Sequence, residues 1–181
     1  MNEQIIIAGF GGQGILSAGK MLAEAAMEEG CEVSWLPSYG PEMRGGTSNV
    51  NIILSDTPIG APTISMGKAT CVIVMNRPSL EKYEQYLMPG GLLVMNSSFI
   101  EIKPKRDDIH IVHVPANEIA QKVGNDKVAN MVVLGAYISK TDTVKTETLI
   151  HVLTEVLGEK KMHLIELNRE AIKLGSDCLA A

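Results

Sequence analysis

Between an apolar run, Gln4-Ile5-Ile6-Ile7-Ala8, and a helical pattern that begins at Gln13 or Gly14 lie six residues, GFGGQG, open to few neighbours but many backbone paths. The spacing of Gly9, Gly11 and Gly14 is informative only where it ends a strand and opens a helix, and both flanks read that way. In such a unit Gly9 supplies the tight turn, Gly11 lets a ligand or neighbouring backbone come close, and Gly14 lets helix pack on strand. Backbone N–H groups at a helix start favour an anion. The plainer alternative is that Gly9, Gly11, Gly12 and Gly14 only shape a turn. The spacing alone leaves both open.

The rest of the chain alternates. A helix is expected from Gln13 to Glu29, with Ile15, Ala18, Leu22, Ala25 and Ala26 facing inward and Gly30 ending it. Strands are expected at Glu32 to Leu36 (closed by Pro37), Thr47 to Ser55, Ala69 to Met75, Leu92 to Asn96 and Ile109 to Val114. Helices are expected from Pro78 to about Leu87, stopped by Pro89-Gly90-Gly91, and from Glu118 to Val123, capped by Asn117. Three more follow, at Val128 to Ser139, Glu147 to Leu157 and His163 to Leu174, the last ending at Gly175. This order predicts one α/β domain over residues 1–181, Rossmann-like, with a mostly parallel sheet and helices on both faces. Between Val33 and Leu54 two strand patterns are joined without a helix, which predicts an antiparallel or edge excursion.

That junction, Ser38 to Gly46, is a nine-residue loop inside a compact domain, a kind of segment that is usually functional. It starts after the second strand, so it should lie near the edge that carries Gly9 to Gly14. Arg44 is the one fixed cation expected there, suited to phosphate or carboxylate; a solvated surface arginine is the plainer reading. A dinucleotide site of this glycine type wants an acidic residue about twenty positions on, at the end of the second strand. That place holds Leu36-Pro37-Ser38, which counts against NAD. Gln13 could instead donate to a phosphate or to a partner chain.

Composition narrows the function further. The 181 residues are 45% hydrophobic but only 4% aromatic, so the core must come from aliphatic side chains and ten methionines. A net charge of −5 argues against nucleic acid as the main partner. No apolar run reaches the roughly twenty residues of a membrane span. Three isolated cysteines, Cys31, Cys71 and Cys178, form no C-x-x-C pair and fit a reducing cytoplasm. His110 and His113 fall on opposite faces of one strand, and no nucleophile–base motif or metal-ligand spacing occurs, so neither a catalytic residue nor a metal site is expected. Such poverty in acid–base groups points to a subunit whose chemistry lies on another chain.

Together with GFGGQG, the stretches SYGPEMRGGTSN (Ser38 to Asn49), KVANMVVLGAY (Lys127 to Tyr137) and LNREAIKLG (Leu167 to Gly175) make the sequence similar to the gamma subunits of the 2-oxoacid:ferredoxin oxidoreductases. The resemblance covers nearly the whole chain and is nearest the 2-oxoglutarate branch, with pyruvate, branched-chain and indolepyruvate branches also similar. It implies a complex that decarboxylates a 2-oxo acid on thiamine diphosphate, passes electrons through iron–sulfur clusters to ferredoxin, and hands the acyl group to coenzyme A. Thiamine diphosphate is then held by the alpha and beta subunits and the cluster-binding cysteines sit on other chains, with a delta subunit as a further partner. The gamma chain packs on those subunits, with a part in coenzyme A binding. Carried over, Gly9, Gly11, Gly12, Gln13 and Gly14 form a candidate phosphate-facing turn. Tyr39, Arg44, Gly45 and Gly46 form a candidate site-facing or subunit-facing loop. An isolated chain of this kind is expected to self-associate through its docking surface. Two other readings stay open: a free-standing nucleotide-binding enzyme or sensor, and a purely structural assembly subunit.

Overall fold

In the computed structural model, residues 2–39, 47–158 and 161–179 are described. Six strands, β1 (Asn2–Phe10), β2 (Glu32–Tyr39), β3 (Thr47–Ser55), β4 (Ala69–Val74), β5 (Leu87–Asn96) and β6 (His110–Val114), form one sheet in the order β2-β3-β1-β4-β5-β6. β4 runs parallel to β1, β5 to β4, and β6 to β5, while β3 is antiparallel to both β1 and β2. The expected excursion is therefore real: β3 alone opposes the common direction.

The helices are α1 (Ile15–Glu28), α2 (Arg77–Tyr83), α3 (Ala116–Val123), α4 (Ala129–Thr141), α5 (Thr146–Leu157) and α6 (Met162–Asp177). Both faces of the sheet are covered, but unequally. On one face α1 and α4 lie against Ile5, Ile7, Val50, Ile52, Ile73 and Val94, with α5 and α6 packed outside them. On the other, α2 contributes Leu80 and Tyr83 over Ile6, Ala8, Val72 and Leu93. Strict alternation along β1 and β3 sorts these side chains between the two cores. The chain leaves β1 through α1 toward β2 and leaves β4 through α2 toward β5. The gap between the C-terminal ends of β1 and β4 is thus a topological switch point, where such sheets bind ligands.

Several boundaries differ from expectation for identifiable reasons. β2 does not stop at Pro37 but runs to Tyr39, because it is an edge strand and Pro37 needs no outward N–H. α2 ends at Tyr83 and passes through a 3-10 turn, Glu84–Tyr86, into β5, which begins at Leu87. Pro89-Gly90-Gly91 lies inside β5, where the pairing with β4 shifts between Ala69 opposite Leu87 and Cys71 opposite Leu92. Asn117 is not the cap of α3; the helix starts at Ala116, and the Asn117 amide oxygen accepts from Asn96 instead. Gly175 does not end α6 but sits within it, where α6 crosses α4. A Cβ at Gly175 would stand 1.9 Å from the Val132 carbonyl oxygen, and one at Gly135 would stand 2.1 Å from that of Ile172. No helix among the described residues is long and apolar enough to cross a membrane.

Candidate functional site at the glycine turn

β1 delivers its last residue, Phe10, to the switch point, and the chain turns through Gly11 to Gly14 into α1. The glycines divide the work differently from the expected scheme. Gly12 and Gly14 carry the turn, with φ of +92° and +73°, values that a side chain would strain. Gly9 is still extended strand, paired with Ser48, and its missing side chain makes room for another. A Cβ there would lie 2.7 Å from Gln13 Oε1 and 2.7 Å from Ile15 Cδ1. Gly14 gives close approach not to a strand but to α4, since its Cβ would meet Asn130 Nδ2 at 2.4 Å. Gly11 is exposed.

Gln13 is folded back over the space left by Gly9. Its Oε1 accepts from the Phe10 N–H (2.7 Å) and from Asn76 Nδ2 (3.0 Å), and its Nε2 donates to the Met75 carbonyl (3.4 Å). Gln13 thus braces the turn from within, its carbonyl shared by the Phe10 N–H and the Asn76 amide. Asn76 also caps α2, its Oδ1 accepting from the Ser79 N–H (3.0 Å). Asn96, wholly buried, donates to Asn117 Oδ1 (2.9 Å) and accepts from the Ser98 and Ala116 N–H groups (3.3 Å each). Asn130 donates to the Gly14 carbonyl at 3.0 Å. These five amides, drawn from the ends of β1, β4 and β5 and the starts of α3 and α4, brace one rim of the sheet.

The network is electrically neutral. It fixes backbone positions but holds no group that exchanges protons near neutral pH. Among the described residues, charge enters beside it in a cleft of about 230 Å³ lined by Gly12, Gln13, Phe99, Asn117, Asp126 and Lys127. A second cleft of about 280 Å³, lined by Gly11, Gly12, Leu16, Ser17 and Ser48, opens on the other side of the same turn. Larger hollows of about 350 Å³ beside Thr57 and Lys68, and about 400 Å³ beside Asp142 and Lys145, lie away from the switch point. Volume alone does not make them sites, because neither gathers the strand ends.

Of the second candidate loop, Tyr39 lies at the end of β2 and Arg44, Gly45 and Gly46 lie outside the described residues. The residues that bracket it are placed: Tyr39 pairs with Ser48, which pairs with Gly9, and Thr47 pairs with Phe10. Both anchors thus stand on the edge that carries the glycine turn. The same pairing weighs against a dinucleotide site. β3 separates β2 from β1, so even an acidic residue at the end of β2 would stand roughly 10 Å to the side, two strand spacings away.

The three cysteines are scattered: Cys71 is buried, Cys31 and Cys178 half-buried. Burial pushes all three thiols above their ordinary pKa, Cys71 furthest, so they are protonated and poor metal ligands as they stand. Among the described residues no three His, Cys, Asp or Glu side chains gather where a metal could be held. An iron–sulfur cluster does not fit this donor set.

The model of the pyruvate ferredoxin/flavodoxin oxidoreductase family matches residues 4–178. The chain belongs to that family. Among its curated relatives, ketoisovalerate oxidoreductase subunit VorA of Methanothermobacter marburgensis is 33% identical over 174 residues, 96% of this chain but 36% of that protein. This family member therefore spans only about a third of the length of that relative. The 2-oxoglutarate synthase subunit KorC of the same organism is 32% identical over 186 residues, covering 97% of this chain and 99% of KorC. Among solved structures, the keto/oxoacid ferredoxin oxidoreductase gamma subunit from Geobacter sulfurreducens PCA superposes with a TM-score of 0.83 at 31% identity, covering 99% of each chain. That match carries the same α/β fold.

Asn76, Asn96 and Asn130 were not among the residues singled out from sequence. An isolated asparagine gives no signal until the strand order brings several to one rim. Asn117 stands where a helix cap is expected but takes a hydrogen bond from Asn96 instead.

Proposed function

We propose that this chain is the gamma-type subunit of a cytoplasmic 2-oxoacid:ferredoxin oxidoreductase acting on 2-oxoglutarate. The observation that carries this reading is a preorganised, neutral rim at the switch point of a chain that matches the oxidoreductase family along almost its whole length. A rim of amides and glycine backbone binds and orients; it neither abstracts a proton nor attacks a carbonyl. The end-to-end match with KorC is what supports 2-oxoglutarate as the substrate. In this reading the alpha, beta and delta partners hold thiamine diphosphate and the iron–sulfur clusters, and ferredoxin accepts the electrons. Gly9, Gly11, Gly12, Gln13 and Gly14 hold the surface that faces coenzyme A. Tyr39, Arg44, Gly45 and Gly46 extend that surface toward coenzyme A or a neighbouring subunit.

Reconstitution tests this. With alpha and beta partners, 2-oxoglutarate, coenzyme A and ferredoxin, electron transfer should require this chain. Ferredoxin reduction that proceeds equally well in its absence would falsify the proposal. A free-standing nucleotide-binding enzyme has no observation in its favour, given the separation of β2 from β1.

A further inference from the structure

The turn that follows β5 holds an aromatic ring largely in solvent. Phe99, one of two phenylalanines in the chain, is 55% exposed. A lone exposed apolar side chain is ordinary, but this one stands on a braced turn. The Ser97 N–H donates to the Val114 carbonyl (2.9 Å), the Ser98 N–H to Asn96 Oδ1 (3.3 Å) and the Phe99 N–H to the Asn96 carbonyl (3.3 Å). Ser98 Oγ in turn accepts from the Asn117 and Glu118 N–H groups (3.2 and 3.4 Å). Phe99 is thus carried on a fixed backbone beside the 230 Å³ cleft that it lines.

The same cleft holds polar side chains of three kinds, Asn117, Asp126 and Lys127. Among the described residues Lys127 is the one cation lining it, and the cleft across the glycine turn is lined by no charged residue. Asp126 and Lys127 open a 3-10 turn, Asp126–Val128, whose start Asn125 fixes by accepting from the Lys127 N–H (3.0 Å). Successive side chains of such a turn point about 120° apart. The carboxylate and the ammonium therefore address different parts of a ligand, and the ion pairs among the described residues include neither. Asn96 already donates to the Asn117 carbonyl oxygen, which leaves the Asn117 NH₂ as a donor. A flat apolar face, an acceptor, a donor and a cation together match a phosphorylated adenosine. Adenine offers a π-face, an exocyclic amino donor and ring-nitrogen acceptors, and the phosphate offers the charge.

We propose that the cleft between Phe99 and Lys127 binds an adenine nucleotide, with the base stacked on the Phe99 ring, its amino group toward Asp126, and a phosphate on Lys127. This deepens, and rests on, the reading that Gly12 and Gln13, which line the same cleft, face coenzyme A, whose adenosine phosphate end is the source there. Free AMP carries the same chemistry without the pantetheine arm and separates the two claims.

The test is an NMR titration of the full chain with AMP, adenosine, inosine monophosphate and coenzyme A. With two phenylalanines in the chain, the Phe99 ring protons are readily assigned. AMP and coenzyme A should shift them saturably. Phe99→Ala should weaken both ligands roughly tenfold, the loss of one base stack. Phe99→Leu keeps the apolar bulk without the flat face; it should weaken them similarly, which keeps the test decisive if the alanine variant loosens the turn. Lys127→Gln should weaken AMP several-fold and leave adenosine unaffected. Inosine monophosphate, whose carbonyl replaces the amino group, should bind more weakly than AMP, and Asp126→Asn should narrow that gap. Absent Phe99 shifts with AMP, or AMP binding undiminished in the Phe99 and Lys127 variants, overturn the site. Coenzyme A bound equally well by those variants would overturn the site and leave the coenzyme A reading standing. Phe99-dependent binding of AMP without binding of coenzyme A would support the site and overturn that reading.

Discussion

Gln13 and Gly9 are one device in two residues. Replacing Gln13 by Ala leaves the Phe10 N–H and the Asn76 amide without the acceptor they share, at a cost of about 1–3 kcal/mol in denaturant unfolding. Gly9→Ala drives a methyl into Gln13 Oε1 and Ile15 Cδ1, an overpacking worth about 1–3 kcal/mol. The two losses should not add. With Gln13 already truncated, part of the Gly9→Ala clash has no second partner, so the double variant should be more stable than the sum of the singles predicts. Additive losses would mean that Ile15 alone sets the need for glycine. The glycine spacing was visible in the sequence, but this division of labour was not. The Gln13 side chain is held by Asn76, 63 positions away, and only the strand order makes the two neighbours.

Among the elements, β3 was legible to its ends, because alternating Val50, Ile52 and Leu54 mark a strand with one fully buried face. α6 was not, because a glycine that ends a helix and one that admits a neighbouring helix look alike in sequence. The contact distances distinguish them here. Gly175→Ala and Gly135→Ala should each force α4 and α6 apart and cost about 3 kcal/mol, read as a drop in Tm. A Gly175→Ala protein as stable as the parent would show that the crossing is looser than described. α5 is tied to α1 by His151, whose Nδ1 lies 3.0 Å from a Glu28 carboxylate oxygen. That hydrogen bond raises the imidazole pKa above its ordinary 6.5, with Glu155 adding to the effect and partial desolvation opposing it. The folded state therefore binds the proton more tightly than the unfolded one. The contribution is complete below the unfolded value and is lost as pH rises through the folded one. His151→Ala should then lower stability at about pH 6 and leave it nearly unchanged at about pH 9. An equal loss at both would mark the contact as packing rather than charge.

For the molecule as a whole, the class and most strand positions followed from alternating apolar runs and glycine turns. The strand order did not, because register with a distant strand is a tertiary choice. That order explains the function better than any single motif. It inserts β3 between β1 and β2, which removes the dinucleotide geometry. It also collects Gln13, Asn76, Asn96, Asn117 and Asn130 at one rim. Tyr39 and Thr47, which flank the segment holding Arg44, Gly45 and Gly46, stand on the same edge as Gly9 and Phe10. The most direct measurement is the apparent affinity for coenzyme A in the complex assembled from this chain and its partners. Gln13→Ala and Arg44→Ala, each incorporated in full, should raise the apparent KM for coenzyme A several-fold while the 2-oxo acid is still decarboxylated. Both complexes assembling with unaltered coenzyme A dependence and turnover would reduce this chain to a scaffold and contradict the account.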